Sequence, residues 1–430
     1  AAAILWEPDG ATRPPPLAAD LVFAEVPQLT HRASELADRF FAAPSQSLCV
    51  AGVTGTNGKT TCAWLLAQAL DACARPAAYL GTLGSAFNGE LATGEMTTPD
   101  AITVQRQLAD FRSRGASHVA MEVSSHGLAQ GRVNAVRFDT AVFTNLTRDH
   151  LDFHGDMQRY GAAKASLFER DEVRLRVLNV DDAFGAQLAT RFAGSIACSR
   201  RARPAGGAFV QARDIVYGDT GTGFRLESSF GSAPVTTRLL GEFNVDNVLA
   251  VLAVLLGSGV ELNAAVQALR TLGAPSGRLE TFVVPGRPTA VVDYAHTPDA
   301  LEKALQVLRR HCSGSLTVVF GCGGDRDRGK RPLMGAIAAR LADRIVLTDD
   351  NPRTEDGAQI IADIRAGLGA APVMVIRDRR GAILESLAQA RSGDLVLVAG
   401  KGHETYQLVG NETHYFSDQQ VLREALGGAA

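Results

Sequence analysis

A glycine-rich stretch near residue 50 constrains the fold of this chain more than any other part of its sequence. Residues 48–61 read LCVAGVTGTNGKTT, an apolar run with strand character followed by a loop with two glycines, a lysine and two threonines. From Ala63 onward, apolar residues recur at helical spacing and predict one buried helix face. A strand, a glycine loop and a helix N-terminus in this order form a cradle for phosphate.

The residues of this loop predict a nucleoside triphosphate as the ligand. Backbone N–H groups around Gly55 and Gly58 can point at an anion without side-chain obstruction, and Lys59 adds a positive charge. The hydroxyl group of Thr60 is placed to ligate the magnesium ion that accompanies a nucleotide. Val53 stands where the general phosphate-binding pattern has glycine, so the alternative is a plain turn between a strand and a helix.

Length and composition restrict the class of protein. A chain of 430 residues predicts two or three domains, and 46% hydrophobic with 21% charged residues is typical of a soluble globular protein. A net charge of -3 argues against general affinity for nucleic acid or membrane surfaces. We expect no membrane span and no secretory leader. Scattered cysteines predict reduced core residues of a cytoplasmic protein: Cys49, Cys62, Cys73, Cys198, Cys312 and Cys322.

The alternation of predicted strands and helices divides the chain into three segments and places it in the α/β class. Residues 1–47 hold a short strand, a Pro-rich turn at residues 13–16 and a helix at residues 33–41. That is too little to bury a core unaided, so we expect a truncated N-terminal α/β segment that is either a remnant of a larger domain or packed on its neighbour. Residues 48–272 predict a central nucleotide-binding domain with a parallel sheet. Residues 273–430 predict a Rossmann-like C-terminal domain after a linker at residues 273–277.

Individual elements follow from the same patterns. In the central segment we predict strands at 77–80, 117–123, 140–145 and 175–180, helices at 101–114, 157–170, 245–256 and 262–272, and an antiparallel hairpin region at 208–240. In the C-terminal segment we predict strands at 290–293, 316–320, 344–347, 373–376 and 395–398, with helices between them, for example at 299–308 and 360–368.

Polar residues follow two of the predicted strands. MEVSSH ends one strand with Glu122, and TNLTRDHLDFHG follows the next and contains His150. The carboxyl ends of parallel strands meet at one edge of a sheet, beside the phosphate loop. Magnesium prefers oxygen ligands, which makes Glu122 a sensible metal ligand and His150 a less usual one. The alternative for His150 is a capping or packed histidine, and we expect His126 and His154 to be loop or strand-end residues.

Seven motifs in order along the chain resemble those of the Mur ligases, the ATP-dependent amide-forming enzymes of peptidoglycan precursor synthesis. They read GTNGKTT, MEVSSHGL, TNLTRDHLDFHG, DYAHTPDAL, GCGGDRDRGKRP, DDNPRTED and AGKGHETYQ. Within the family, the members that add diaminopimelate are the most similar. The resemblance implies ATP and Mg²⁺ as cofactors, and a UDP-muramoyl dipeptide and meso-diaminopimelate as substrates. Apart from the resemblance, we expect a cytoplasmic monomer without nucleic-acid or membrane partners.

The resemblance implies roles for residues of the central segment. The catalytic residues would be Lys59, Glu122, His150 and Lys164, and the metal ligands Thr60, Glu122, His150 and Lys164. Lys164 would carry a carbamate, which supplies an anionic oxygen where an ammonium group would repel Mg²⁺; the alternative is a solvated helix lysine. The ATP phosphates would bind to Gly55, Thr56, Asn57, Gly58, Lys59, Thr60 and Thr61. The UDP-muramoyl dipeptide would contact Thr97, Thr98, Ser124, Gln130 and Arg132.

Further nucleotide contacts and the acceptor site are implied in the same way. Asn244 and Asn247 match positions near the nucleotide base, and Arg278, His296 and Asp325 would approach ATP. The acceptor amino acid would be bound by Asp350, Asn351, Pro352 and Arg353, with Arg326, Gly400 and Glu404. A planar arginine can grip the distal carboxylate that distinguishes diaminopimelate from lysine. The alternative for the DNPR sequence is an ordinary Asn-Pro turn.

A mechanism follows from these parts. ATP would phosphorylate the terminal carboxylate of the D-Glu residue, and the amine of diaminopimelate would attack the acyl phosphate. Closure of the domains would keep water away from this intermediate. Three other interpretations remain: a folylpolyglutamate synthase, which would lack DNPR; a lysine-adding Mur ligase, which would lack Arg353; and a nucleotide-gated switch protein without ligase chemistry.

Overall fold

The computed structural model describes residues 3–7, 22–94, 96–204 and 206–427. The chain divides into two compact units, Ala1–Gln211 with Leu249–Glu261 and Ala212–Val248 with Leu262–Ala430. The turn predicted at residues 13–16 lies outside the described residues. Helices and largely parallel sheets make up both units, which confirms the predicted α/β class. The predicted three-domain boundaries stay predictions.

The first unit contains ten strands and seven α-helices among its described residues. The strands are β1 Ala3–Trp6, β2 Val22–Glu25, β3 Cys49–Thr54, β4 Ala77–Gly81, β5 Gly84–Phe87, β6 Glu90–Ala92, β7 His118–Glu122, β8 Thr140–Phe143, β9 Leu175–Asn179 and β10 Ile196–Ser199. The helices are α1 Leu29–Phe40, α2 Lys59–Ala72, α3 Ala101–Ser113, α4 Ser125–Ala129, α5 Leu151–His154, α6 Met157–Ala165 and α7 Ala183–Arg191.

A parallel sheet organises the first unit. Six strands lie side by side and run in the same direction, in the order β10, β9, β8, β3, β7 and β4. At the edge of the sheet, β5 is antiparallel to β4, and β6 is antiparallel to β5. The residues of β4 and β8 are buried throughout, as expected for strands covered on both faces. Because β3, β7 and β8 are parallel neighbours, the residues that follow them meet at one edge of the sheet.

Two elements have residues in both units, β11 Ala208–Gly218 and α8 Glu242–Gly257. The strands of the second unit are β12 Gly221–Ser228, β13 Gly231–Thr237, β14 Glu280–Phe282, β15 Thr289–Asp293, β16 Leu316–Phe320, β17 Arg344–Leu347, β18 Met374–Val375, β19 Leu395–Ala399, β20 Tyr406–Val409 and β21 Glu412–Tyr415. Its helices are α9 Leu262–Leu269, α10 Pro298–Arg309, α11 Lys330–Leu341, α12 Gly357–Arg365, α13 Arg379–Gln389 and α14 Asp418–Leu426.

The second unit is built around a sheet with the strand order β14-β15-β19-β16-β17-β18, in which only β14 is antiparallel to its neighbour. Helices cover both faces of this sheet, with one apolar core under α10, α11 and α12 and another under α13 and α14. The loops after β15, β16, β17 and β19 therefore lie at one edge. The predicted antiparallel hairpin is formed by β12 and β13.

Several local predictions need correction. The helix predicted at residues 157–170 ends at Ala165, since a turn then buries both Leu167 and Phe168 in the core. Only Cys62, Cys198 and Cys322 are buried, whereas the other three cysteines are exposed or half-buried. All six cysteines are free thiols. Among the described residues, no helix combines the length and the apolar character that crossing a membrane requires.

Candidate active site

The glycine loop is held in an extended turn by residues that follow β8. Gly55 has φ 148° and Gly58 has φ 84°, and Gly58 precedes the first residue of α2. A Cβ atom at Gly55 would lie 1.9 Å from Oγ1 of Thr144, so only glycine fits there. Thr144 Oγ1 donates to the Asn57 carbonyl at 2.6 Å, and Asn145 Oδ1 accepts from the Asn57 N–H at 2.9 Å. These two hydrogen bonds tie the loop to the residues that follow β8.

Two lysine side chains meet at the carbonyl oxygen of Gly55. The Nζ atom of Lys59 donates to Gly55 O at 3.0 Å and to Thr56 O at 2.9 Å, and Nζ of Lys164 donates to Gly55 O at 2.8 Å. Lys164 is only 1% exposed, so the alternative of a solvated helix lysine is wrong. Burial lowers the pKa of Lys59, while the charges of Glu122 and Asp149 oppose this effect. Burial, and after it the charge of Lys59, lower the pKa of Lys164 to about 7.

Glu122 is a fully buried carboxylate with four hydrogen-bond donors around it. Its Oε2 accepts from the Thr60 hydroxyl at 2.9 Å and from the Thr82 hydroxyl at 3.1 Å. Its Oε1 accepts from the Tyr79 hydroxyl at 2.5 Å and from the Thr82 N–H at 2.8 Å. The carboxylate is thus oriented rigidly at the start of α2.

The oxygen pair of Thr60 and Glu122 fits a magnesium site. Ligands in adjacent positions of an octahedral Mg²⁺ shell, each about 2.1 Å from the ion, are roughly 3 Å apart. The distance of 2.9 Å between Thr60 Oγ1 and Glu122 Oε2 matches this geometry. Lys164 reaches the same loop through Gly55. The donor set is therefore compatible with the predicted ion.

Three histidines cluster after β7 and β8. The ring of His126 lies 4.8 Å from that of His150 and 5.5 Å from that of His154, measured between centroids. His150 stands at the N-cap position of α5 with φ 51°, but its side chain makes no capping hydrogen bond and is 45% exposed. His126 and His154 lie within α4 and α5, which corrects their predicted loop or strand-end positions. Burial lowers the pKa of both His126 and His154.

The five residues predicted to contact the UDP-muramoyl dipeptide lie in one connected stretch of structure beside Glu122. Thr98, which is 1% exposed, donates from Oγ1 to the Glu122 carbonyl at 2.8 Å and accepts from the Ser124 N–H at 2.9 Å. The guanidinium of Arg132 donates to the Thr98 carbonyl at 2.7 Å and to Gln130 Oε1. Thr97 joins the group through its hydroxyl oxygen, which lies within hydrogen-bond distance, 3.0 Å, of the Thr82 hydroxyl oxygen.

In the second unit, two arginines flank Gly323 in the loop after β16. A Cβ atom at Gly323 would lie 2.8 Å from Nη1 of Arg353 and 3.8 Å from Cγ of Arg326. Arg353 has φ 53° and donates from Nη1 to the Gly324 carbonyl at 2.7 Å. Its backbone N–H donates to Leu408 O at 3.0 Å. The DNPR segment is therefore tied to β20 by its backbone, and the hydrogen bond to Gly324 orients its arginine side chain.

The other predicted acceptor residues gather at the ends of β17 and β19. Asn351 Nδ2 donates to Glu404 Oε2 at 2.9 Å, and Lys401 Nζ donates to the same oxygen at 3.1 Å. A Cβ atom at Gly400, which has φ 115°, would lie 2.5 Å from Asp350 Oδ2. The carboxylates of Asp350 and Glu404 thus lie in the same region as the Gly400 backbone.

The remaining predicted nucleotide contacts also lie in the second unit. Asn247 and Asn244 form a buried pair, with Asn247 Nδ2 donating to Asn244 Oδ1 at 3.0 Å. The ring of Tyr294 lies 4.5 Å from that of His296 and 5.6 Å from the guanidinium carbon of Arg278. Asp325 accepts from the Thr354 hydroxyl at 2.8 Å and so connects to the DNPR loop.

Sequence reasoning missed three residues that the structure places in these groups. Tyr79 and Thr82 orient Glu122 but belong to no quoted motif, so no local pattern points to them. Lys401 lies within the quoted AGKGHETYQ stretch and is fully buried beside Glu404. A lysine next to glycines in a motif was the available signal for it.

Comparisons with known proteins identify the family of the chain. Residues 53–255 match the Mur ligase middle domain, and residues 277–402 match the Mur ligase, glutamate ligase domain. A UDP-N-acetylmuramoyl-L-alanyl-D-glutamate–2,6-diaminopimelate ligase from Ectopseudomonas mendocina (strain ymp) is 49% identical over 427 residues, which is 99% of this chain and 87% of that relative.

Solved structures show the same relationship. A structure of a UDP-N-acetylmuramoyl-L-alanyl-D-glutamate–2,6-diaminopimelate ligase has a TM-score of 0.76 and 39% identity, over 96% of this chain and 85% of that one. Folylpolyglutamate synthase from Mycobacterium tuberculosis, solved with ADP and AMPPCP, has a TM-score of 0.65 at 17% identity, over 93% of this chain and 96% of that one. The latter similarity is one of fold. With both family models and a relative of nearly half-identical sequence in agreement, the chain belongs to the Mur ligase family.

Proposed function

We propose that this Mur ligase uses ATP to add meso-diaminopimelate to UDP-N-acetylmuramoyl-L-alanyl-D-glutamate, releasing ADP and phosphate. The observation that carries the proposal is the 49% identity, over 99% of the chain, to a relative named for this reaction. The paired arginines at Gly323 support it, because they suit an acceptor with a second carboxylate.

The glycine loop would bind the triphosphate. Backbone N–H groups at the start of α2 and the ammonium group of Lys59 offset the negative charge of the phosphates. Lys59 already donates to two carbonyl oxygens of the loop, at 3.0 and 2.9 Å, so little reorganisation separates it from a phosphate oxygen. Asn247 and His296 would add contacts from the second unit.

Magnesium would be held by Thr60, Glu122, His150 and a carbamate on Lys164, and it would offset the charge of the phosphate oxygens. The buried position of Lys164 and its pKa of about 7 support the carbamate. A neutral amine is the form that adds to CO₂, and an anionic product would remove the repulsion between the Lys164 and Lys59 ammonium groups.

The chemistry would proceed in two steps. The terminal carboxylate of D-Glu attacks the γ-phosphorus of ATP, the bond to the β-phosphate oxygen breaks, and ADP leaves. The amine of diaminopimelate then attacks the acyl carbon, phosphate leaves, and an amide bond remains. Lys59 stabilises the charge that develops on the transferred group, while Thr97, Thr98, Ser124, Gln130 and Arg132 hold the dipeptide.

The acceptor would be bound in the second unit. Arg353 and Arg326 would grip the distal carboxylate, since a guanidinium group can make two parallel hydrogen bonds to it. Asp350 and Glu404 would receive the distal ammonium group, with Asn351, Pro352 and Gly400 shaping the site. Diaminopimelate carries both charges at its far end, whereas lysine carries only the ammonium group.

One assay tests the proposal. ADP formation is measured with the UDP-muramoyl dipeptide and with diaminopimelate, lysine or no amino acid. We expect ADP to form with diaminopimelate at a rate at least tenfold above that with lysine. A preference for lysine would replace the acceptor assignment, and ADP formation that is independent of the dipeptide would favour a nucleotide-gated switch.

A further inference from the structure

Lysine is rare in this chain, which uses arginine for most of its positive charges. Only five of the 43 Lys and Arg residues are lysines, namely Lys59, Lys164, Lys303, Lys330 and Lys401. Lys401 is fully buried, with none of its side chain exposed to solvent. Burying an ammonium group is unfavourable unless its hydrogen bonds and charge are matched, and a hydrophobic side chain of similar volume would often be as stable. The burial of Lys401 therefore indicates a role beyond stability.

The ammonium group of Lys401 completes a triangle of polar groups. It donates to Asn351 Oδ1 at 3.0 Å and to Glu404 Oε2 at 3.1 Å, and Asn351 Nδ2 donates to Glu404 Oε2 at 2.9 Å. The amide of Asn351 is oriented further by the Leu408 N–H, which donates to its Oδ1 at 3.0 Å. All three side chains are fixed by one another, because each of them contacts both of the others.

This triangle acts unequally on the two oxygens of Glu404. Both hydrogen bonds described for its carboxylate end at Oε2, and 18% of the side chain is exposed. Oε1 is therefore the oxygen that can meet a donor from outside. The positive charge of Lys401 also compensates the negative charge of Glu404. The hydrogen bonds hold the carboxylate of Glu404 in one orientation, so that Oε1 is a hydrogen-bond acceptor with a fixed direction.

We propose that Lys401 is a positioning residue for the acceptor amino acid. It locks Glu404 and Asn351 so that Glu404 Oε1 faces the distal ammonium group of the acceptor. By balancing the charge of Glu404, it favours an acceptor whose far end carries both an ammonium and a carboxylate group over one with an ammonium group alone. This role rests on the proposed function, because it assumes the acceptor site described above.

The test compares Lys401→Met, Glu404→Gln and the double variant in the full chain. KM values for diaminopimelate and lysine are measured at saturating ATP and UDP-muramoyl dipeptide. We expect Lys401→Met to raise the KM for diaminopimelate about tenfold or more, the effect of losing a charged hydrogen bond. The KM for ATP should stay within about twofold, and the diaminopimelate-to-lysine preference should fall. The double variant should be no worse than Glu404→Gln alone, because Lys401 acts through Glu404.

Controls separate this role from a structural one. Lys303→Met removes a lysine whose side chain is 71% exposed, and it should behave as the wild type. If thermal unfolding shows that Lys401→Met is not folded, Lys401→Gln, which keeps a donor but not the charge, is judged by the same criteria. An unchanged KM for diaminopimelate, or effects that multiply in the double variant, would overturn the positioning role. If the wild type does not use diaminopimelate at all, it is the proposed function that fails.

Discussion

The side-chain nitrogens of two lysines form hydrogen bonds to one carbonyl oxygen of the glycine loop. Lys59 and Lys164 lie 3.0 and 2.8 Å from Gly55 O, and the ring of Tyr160 lies 4.4 Å from Nζ of Lys164. Burial and the charge of Lys59 both disfavour the protonated form of Lys164. Near neutral pH, much of Lys164 is therefore a free amine, unlike an exposed lysine, whose pKa is roughly 10.4.

Lys164 should consequently take up CO₂. After incubation with ¹³C-bicarbonate at pH 8, we expect one carbamate signal in the ¹³C NMR spectrum of the wild type, and none in Lys164→Ala. The signal should weaken as the pH falls through about 7, because protonation of the amine then competes with carbamate formation.

Lys164→Ala should lose nearly all activity and regain part of it with added small carboxylates. The exposed-lysine variant Lys303→Ala should keep both the signal and the activity; full activity of Lys164→Ala would rule out the carbamate.

We expect Arg353 to govern a different choice, that between two acceptors. Its guanidinium is aimed by the bond to Gly324 O at 2.7 Å, and a lysine at this position could not make two parallel bonds to a carboxylate. We expect both Arg353→Ala and Arg353→Lys to lower kcat/KM for diaminopimelate by roughly 10- to 100-fold, the size of a charged hydrogen-bond pair. The kcat/KM for lysine should change little.

Arg328→Ala provides the control for Arg353, since Arg328 lies in the loop after β16 and its side chain is 69% exposed. It should leave the ratio of the two acceptors unchanged. An unchanged ratio in Arg353→Ala as well would remove the acceptor assignment.

At the scale of elements, patterns in the sequence predicted what depends on local periodicity. The strand-loop-helix unit of β3 and α2 was predicted because its apolar spacing and glycines are local signals. The short helices α4 and α5 were missed, and with them the cluster of His126, His150 and His154. They span only five and four residues, which is too short for helical periodicity to show. The burial of Lys164 and the contacts of Tyr79 with Glu122 depend on segments far apart in sequence, so no local pattern reveals them.

The contacts between α13 and α14 offer a matched test of buried and exposed ion pairs. Arg379 and Asp418 form a two-bond pair at 2.7 Å with no exposed side chain, and Arg379 also donates to the Ala399 carbonyl at 3.1 Å. The neighbouring pair of Arg380 and Glu424 joins the same helices at 2.9 Å, with side chains 50% and 44% exposed.

We expect Arg379→Met to lower the free energy of unfolding by about 3–5 kcal/mol, because Asp418 is left buried without a partner. Arg380→Met should lower it by only about 0–1 kcal/mol, since water and salt already weaken an exposed pair. Urea unfolding of both variants measures the difference. Replacing both members of the buried pair, as in Arg379→Met with Asp418→Leu, should recover part of the lost free energy of unfolding. Equal losses in Arg379→Met and Arg380→Met would contradict this account.

At the scale of the whole molecule, the compact units do not follow the family matches. Residues 212–248 fall within the middle-domain match at 53–255, yet they belong to the second unit. His311 helps to explain why: its Nε2 accepts from the Gly241 N–H at 2.8 Å, and its Nδ1 donates to the Gly218 carbonyl at 2.7 Å. The hairpin region is thus bound to the end of α10. Burial lowers the pKa of His311, in keeping with a neutral ring in these two bonds.

The division of residues between the units predicts which functions can be separated by mutation. The glycine loop lies in the first unit and the DNPR loop in the second. Lys59→Ala should lower ADP formation by at least about 100-fold with every amino acid, since it removes a charge that stabilises phosphoryl transfer. Diaminopimelate binding, measured by calorimetry, should stay within about threefold of the wild type. Arg353→Ala should show the reverse: weaker diaminopimelate binding with the affinity for a non-hydrolysable ATP analogue unchanged.

Turnover, unlike binding, should require both sites at once. In the proposed mechanism, the acyl phosphate would form only when the dipeptide is present and would be consumed only when an amine attacks it. In the wild type, phosphate release should therefore fall to background when either the dipeptide or the amino acid is omitted. Mixing Lys59→Ala with Arg353→Ala protein should not restore activity, because each variant chain lacks one of the two required side chains. Recovery in the mixture would show that the two loops can act in trans, and normal ATP turnover by Lys59→Ala would refute the nucleotide site.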